Sequence, residues 1–407
     1  MTGFRFFLVI LVFLGASVAW VVLGTTIEYR TATLTDRLSE EVDMLWGPSG
    51  LVQEAPSPDP DRTAIEVAFR HRHRYKGLIW FSTYTVDFLG RFEVSGKGPA
   101  GAGEPRRFVF PLPEGARVFE NLRVRLDGQD LDPAEVETDG TLVVPLPDTA
   151  APHTVEVAYR TYGRDRWLYD LARGGKAGAL VRDFTLTATT DFTDIDYPRG
   201  SVSPTPEPAS ALPGGGMRAV WRFENRRSRQ RLGIEMPKRQ NAGAVAGRMA
   251  FAAPVGLFFF FTVLFTVVVL KKVSLHPMHY LFISAGFFAF HILMAYLVDR
   301  IPLEQAFWIC AAVSVFLVVT YMRLVAGGSF ALLYVGLAQL VYLVGFSYAF
   351  TWEGNTGLTI TIAAIATLFV LMQATGRLDW NQVFGGPPAR PIRATGRPHG
   401  ETPASTH

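Results

Sequence analysis

Hydrophobic residues along this chain follow three rhythms. Phe6 to Gly24 is an uncharged run of 19 residues, and at about 1.5 Å per residue a helix of that length crosses most of a hydrocarbon core about 30 Å thick. Five more such runs come late, at Met249 to Leu270, His279 to Val298, Ala306 to Met322, Gly327 to Phe350 and Thr356 to Ala374. Each predicts a membrane-spanning helix. The second rhythm begins at Thr33, where Leu34, Leu38, Val42 and Leu45 recur at helical spacing and predict an amphipathic helix stopped by Gly47 and Pro48. Pro56, Pro58 and Pro60 then predict a stiff linker.

From Arg62 the period becomes two. Ile65, Val67 and Phe69 alternate with polar residues, as do Phe108 and Phe110, Leu122, Val124 and Leu126, Val155, Val157 and Tyr159, and Phe184, Leu186 and Ala188, with a last run from Val220 and Trp221. Gly115, Asp127-Gly128, Asp139-Gly140 and Gly163 read as turns. Eight or so short strands punctuated in this way predict a mainly antiparallel, sandwich-like β domain. Phe108 to Pro113 and Leu142 to Pro147 look alike, but one pair does not make a repeat array. The fold class is therefore a membrane protein with one N-terminal transmembrane helix, a β-rich extracytoplasmic domain and a five-helix transmembrane bundle. Its expected divisions are an anchor at 1–30, the amphipathic helix and linker at 31–60, the β domain at 61–245, the bundle at 246–380 and a disordered cytoplasmic tail at 381–407.

Composition agrees with a membrane chain. Charged residues make up 18% and hydrophobic ones 49%, with a mean hydropathy of +0.20, against roughly 25% charged in a soluble protein. A single cysteine excludes an intrachain disulfide framework. The net charge of +3 divides by topology. With the amino terminus inside, the inner segments carry Arg5, Lys271, Lys272, Arg323, Arg377, Arg390, Arg393 and Arg397, whereas the outer short loops carry only Arg300. Basic residues accumulate on the cytoplasmic side, so both termini are expected inside and residues 25–248 outside. That outer segment holds 30 of the 39 basic and 31 of the 36 acidic residues. The basic balance is thus a trace of orientation and not a footprint for nucleic acid. Ser17 and Ala19 could form a cleavage site, yet apolar residues continue through Leu23, which favours an uncleaved anchor.

Candidate chemistry is sparse, and no Gly-x-Ser-x-Gly, phosphate loop or His-Glu-x-x-His occurs. His71 and His73 share one face of a strand without announcing a third metal ligand, so no metal, cofactor or catalytic residue is expected. Arg70, Arg72, Arg74 and Lys76 alternate along the other face, and Arg226, Arg227, Arg229 and Arg231 cluster near the domain's end. They read either as a surface for anionic groups such as lipid phosphates or envelope polymers, or as charge protecting an edge strand. His291 falls inside a span, where an ionisable group is costly. Asp299, Glu304 and Glu353 map to outer helix ends; they could line a cation entrance or simply reinforce topology. Cys310 reads as a packed small hydrophobe.

Several stretches resemble one family. They are Trp46-Gly47-Pro48, Gly90-Arg91-Phe92, Phe192 to Pro204, Leu232 to Pro237, Arg248 with the Phe251 to Phe261 run, His276-Pro277 with Tyr280, and Thr375, Arg377, Asp379 and Trp380. Together they make the chain similar to CreD-type bacterial inner-membrane proteins. The family's Ser-Glu-His stands here as Val298-Asp299-Arg300, and its Glu-Asp-Tyr as Glu353-Gly354-Asn355. The resemblance implies an inner-membrane, envelope-associated protein linked to envelope stress, with no cofactor and no catalytic residues. The reading is a non-catalytic protein whose outer domain senses or binds envelope components, its partners being the lipid bilayer and anionic lipid or envelope groups, with no protein partner named. The alternative is a small transporter or channel for ions or lipids.

Overall fold

The computed structural model describes residues 3–95, 106–149, 151–172, 179–205, 210–213, 215–228, 230–352, 354 and 356–376. The chain forms two units, one of residues 1–27 and 245–407 and one of residues 28–244.

The first unit is helical. α1 (Gly3–Trp46) opens the chain, and α2 (Ala242–Leu270), α3 (Pro277–Leu297), α4 (Leu303–Ala326), α5 (Gly328–Thr351) and α6 (Thr356–Thr375) follow the sheet. All six are long and apolar enough to cross a membrane. α3 begins where Pro277 occupies the first turn and the His276 side chain accepts the Met278 N–H. In α5 two π-helical stretches, Ala331–Gly336 and Leu340–Gly345, flank Leu337–Gln339. Such stretches widen the helix and are often found at functional sites.

One expectation changes in α1. The anchor and the amphipathic helix, separated at residues 30 and 31 by the sequence reading, are a single helix that ends at Trp46. No proline interrupts it, and the hydroxyls of Thr25, Thr26, Thr33 and Thr35 donate to carbonyls four residues back, so the change from an apolar to an amphipathic rhythm never breaks the backbone. Leu34, Leu38 and Val42 pack on Ile79 and Phe81, as the spacing predicts, but Leu45 is exposed.

The second unit is built on strands β1 (Ser49–Glu54), β2 (Arg62–Lys76), β3 (Ile79–Val94), β4 (Arg107–Pro111), β5 (Glu120–Leu126), β6 (Gln129–Leu131), β7 (Glu137–Thr138), β8 (Thr141–Pro145), β9 (His153–Asp170), β10 (Ala179–Thr190), β11 (Ser210–Ala211), β12 (Met217–Ser228) and β13 (Arg231–Glu235). Ten form one sheet with the path β11-β12-β10-β2-β3-β9-β5-β6, while β1 and β13 flank β9. β4, β8 and β7 form a second, smaller sheet. Most pairs are antiparallel, but β1 with β9 and β2 with β10 are parallel, so the sheet is mixed. The strands are also longer and more numerous than the eight short ones expected, β2, β3 and β9 running to 15, 16 and 18 residues.

The core lies where the two sheets meet. Phe108 and Phe110 of β4 stack against Phe88 and Phe92 of β3 at ring separations of 5.5 to 5.9 Å. Each is fully buried, a contribution of about 1.5–3 kcal/mol. The likeness between residues 108–113 and 142–147 now has a cause: β4 and β8 pair with each other, Phe108 opposite Val144 and Phe110 opposite Leu142, and both point the same alternation at the large sheet. Asp127-Gly128 and Asp139-Gly140 hold positive φ at both positions, as tight hairpin turns require. Gly163, read as a turn, instead lies inside β9. There β9 exchanges partners, pairing with β5 up to Arg160 and β3 up to Arg164, then with β1 from Arg164 and β13 from Arg166 onward, and Asp165 at φ 66° marks the change.

Candidate functional site

Arg70, Arg72 and Arg74 do share a face of β2, and the pairing register shows what joins them. Arg70 lies opposite Thr85, which lies opposite Tyr162; Arg72 lies opposite Thr83, then Arg164; Arg74 lies opposite Phe81. Thus β9 adds Arg160, Tyr162 and Arg164 to the same face, alternating as the β2 arginines do. β10 pairs β2 only from Arg62 to Phe69, so Arg70 to Lys76 run beyond it. Beyond Phe69 this strand edge is not paired by β10, although the His71 N–H there donates to Asp191 at 2.9 Å.

The ion pairs decide which arginines are occupied. Asp87 takes Arg70 and, at 2.5 Å, Arg160. Its partial burial would raise its pKa, but the hydrogen bonds and charges of Arg160 and Arg70 hold it below the usual carboxylate range. Glu120 accepts the Tyr162 hydroxyl at 2.6 Å and stands 3.9 Å from Arg160. Arg164, buried, pairs with Asp43 at 2.6 Å and lies 5.2 Å over the Phe81 ring. Lys76 is matched by Glu41 at 2.6 Å. Among the described residues Arg72 and Arg74 have no carboxylate in ion-pair range, and Arg74 instead lies 5.2 Å over Trp46. Arg164 also stands 3.9 Å from Asp165, so Arg70, Arg160 and Arg164 share four carboxylates (43, 87, 120, 165), and Arg72 and Arg74 are the two guanidinium groups of this row without an ion pair among the described residues.

These residues border a cleft of about 140 Å³, lined by Arg70, Arg72 and Arg74, by Thr83, Thr85 and Tyr162, and on its apolar side by Leu45, Trp46 and Val118. Two of its hydroxyl protons are already spent, Thr83 on the Arg72 carbonyl and Tyr162 on Glu120. The cleft thus offers guanidinium donors and an apolar wall to an anion with an organic substituent.

The remaining candidates lie elsewhere. Arg226 sits in β12 opposite Val181, stacked 4.9 Å over Phe223 and exposed. Arg227 lies opposite Leu180, and its side chain is outside the described residues, as is the whole of Arg229. β10 runs parallel to β2 with Asp183 beside Arg62, so the β12 arginines belong to the opposite end of the sheet from Arg70 to Arg74. The two basic runs do not form one site. Asp299 is half-buried in the turn between α3 and α4, and Glu304 is exposed in the first turn of α4. Glu353, the 381–407 tail and the motif residues Arg377, Asp379 and Trp380 are outside the described residues.

His71 and His73 do point together, their rings 4.5 Å apart, yet no group of three His, Cys, Asp or Glu side chains able to hold a metal occurs among the described residues. The nearest resemblance to a nucleophile and base is wired the wrong way. Ser82 donates its proton to the Pro237 carbonyl at 2.8 Å, so the His71 Nε2, 2.9 Å from Ser82 Oγ, is the donor and cannot act as its base. Burial and the neighbouring His73 push the His71 pKa down to about 4, against the opposing pull of Asp191.

Six spanning helices with a large mixed-sheet unit inserted after the first define a multi-pass membrane protein. Residues 224–381 match the model described as inner membrane protein CreD. No curated protein matches the chain significantly. Among solved structures, one described as a candidate protease from Parabacteroides distasonis is 11% identical, with a TM-score of 0.24. The match covers 70% of this chain, which spans 59% of that protein's length. A likeness that slight carries no argument.

Proposed function

We propose that this CreD-type membrane protein presents its sheet unit outside the cytoplasm, with both termini inside, and that the sheet unit binds anionic envelope components without catalysis, in the service of envelope integrity. The observation that carries the reading is the pair Arg72 and Arg74, uncompensated beside a cleft with an apolar wall. Edge protection alone would need charge but no cleft. The commitment of the Ser82 proton supports the non-catalytic half.

Full-length protein in phosphatidylcholine nanodiscs should co-sediment with vesicles carrying phosphatidylglycerol and phosphatidic acid. Arg72→Gln with Arg74→Gln should abolish this, whereas Arg226→Gln should not. Unchanged sedimentation of the double variant refutes the site. Orientation is tested in spheroplasts of a Cys310→Ala background: an impermeant thiol reagent should label Gly140→Cys and not Gly386→Cys, and the reverse pattern overturns the topology.

A small transporter or channel for ions or lipids is the second reading. It is favoured by polar atoms buried in the helical unit without partners, Gln339 Oε1, His291 Nε2 and Tyr280 Oη, with Gln339 standing between the two π-helical stretches of α5. Gln339 Nε2 donates to Ser314 Oγ at 3.0 Å, and Ser314 donates to the Gly286 carbonyl at 2.6 Å. Proteoliposomes whose ion or lipid flux is unchanged by Gln339→Leu would count against this reading.

A further inference from the structure

We propose that the cleft beside Trp46 selects a phosphomonoester, a terminal phosphate carrying two negative charges, over the singly charged phosphodiester of ordinary anionic lipids. The inference rests on the anion-binding reading above and names the ligand's chemistry. Three observations carry it.

The first is charge. Two guanidinium groups of the arginine face, Arg72 and Arg74, have no carboxylate in ion-pair range among the described residues, and both are in the cleft wall. A phosphomonoester carries about 1.5 to 2 negative charges near pH 7 and satisfies both, whereas a diester satisfies one and leaves the other uncompensated. The second is size. About 140 Å³ is near the roughly 150 Å³ that admits a benzene-sized molecule, so the cleft holds one small head group and not a polymer segment. The third is the donor set. Arg72 and Arg74 each offer a planar fork suited to two phosphate oxygens, and with the protons of Thr83 and Tyr162 already spent the guanidinium groups dominate the recognition. Leu45 and Val118, both more than half exposed at the rim, are left for the organic substituent.

The shared chemistry has two sources, a lipid head group such as that of phosphatidic acid or a water-soluble phosphate ester, and the probes separate them. Full-length protein in phosphatidylcholine nanodiscs is titrated with inorganic phosphate, glycerol 3-phosphate, dihexanoyl phosphatidic acid and dihexanoyl phosphatidylglycerol by calorimetry at pH 7.5 and pH 5. Phosphatidic acid should bind at least about tenfold more tightly than phosphatidylglycerol at pH 7.5, and the preference should shrink at pH 5, where the second phosphate proton is back on. Arg72→Gln with Arg74→Gln should remove the preference, whereas Arg91→Gln, on an exposed ion-paired arginine elsewhere in the sheet, should keep it. Arg72→Lys with Arg74→Lys keeps the charge and should retain part of the affinity, which guards against a folding artefact. Glycerol 3-phosphate matching phosphatidic acid supports the inference with a soluble source, and phosphatidic acid alone supports it with a lipid source. Equal binding of phosphatidylglycerol and phosphatidic acid overturns the phosphomonoester inference while the anion reading stands. No binding that depends on Arg72 and Arg74 overturns both.

Discussion

Gly47 is the position where one methyl group should matter most to the sheet unit. It follows Trp46 at φ +96°, and a Cβ there would lie 2.2 Å from the Tyr162 carbonyl oxygen and 2.9 Å from the Gly163 nitrogen. Both obstacles are backbone of β9, so neither can swing aside. Gly47→Ala therefore has two costs. The left-handed backbone alone costs about 1–2 kcal/mol. Relieving the overlap moves β1 away from β9, which loses the bond from the Arg164 N–H to the Pro48 carbonyl (2.9 Å), about 1 kcal/mol, and loosens the fully buried Leu51. Backbone strain and the lost bond together cost about 2–3 kcal/mol and lower the melting temperature by about 4–12 °C for a unit of this size. Gly128 is the control: it holds φ +84° with nothing within 4 Å of a Cβ, so Gly128→Ala bears only the backbone cost of about 1–2 kcal/mol. Thermal unfolding of the two full-length variants in detergent, followed by near-ultraviolet circular dichroism, reads the difference. Equal shifts would show that the Trp46-Gly47-Pro48 turn is not held against β9 and would remove the physical basis for placing Trp46 in the cleft wall.

Arg164→Met should cost about 2–3 kcal/mol, because it strands the partly buried Asp43, and adding Asp43→Asn should recover most of that loss in chemical denaturation. Acid should weaken the sheet unit through His71. Its folded pKa of about 4 lies below the unfolded value of about 6.5, so the unfolded chain binds the proton first and stability falls as pH drops from 6.5 towards 4. The shift sets a ceiling of roughly 3 kcal/mol, and the half-buried ring reduces this to about 1–2 kcal/mol; His71→Gln should flatten the unfolding curve across that window, and an unchanged slope refutes the assignment. Phe110→Ala should cost about 3–4 kcal/mol by opening a cavity between the two sheets, read as a lowered melting temperature.

The spans were legible because length and apolarity are local properties, and six runs became six helices. The alternation that predicts strands is equally local, as is the common face of Arg70, Arg72 and Arg74. What sequence could not supply is partnership. Nothing near Gly163 announces that β9 will leave β3 and β5 for β1 and β13, and a glycine there reads most simply as a turn. Arg160, Tyr162 and Arg164 alternate just as the β2 arginines do, yet only the register across Thr83 and Thr85 puts the two rows side by side. The same register sends Arg226 to the far end, since eight paired positions from Arg62 to Phe69 intervene.

The motifs in which this chain resembles CreD-type proteins sit where backbones meet. Gly233 has the Trp167 carbonyl oxygen 2.2 Å from where its Cβ would be, the Met236 N–H donates to Asp165, and Pro237 accepts from Ser82. In the Phe192 to Pro204 stretch, Asp196 accepts the Glu235 N–H, the Val202 N–H donates to Arg231, and Tyr197 packs edge-on against Trp221. With Trp46-Gly47-Pro48, these contacts border the half of β9 that pairs with β1 and β13. They close the sheet. A resemblance resting on such positions transmits a way of folding, and among the described residues of these motifs only Trp46 also borders the arginine cleft. The likeness therefore argues for the architecture, while the case for a ligand has to stand on the charges of Arg72 and Arg74.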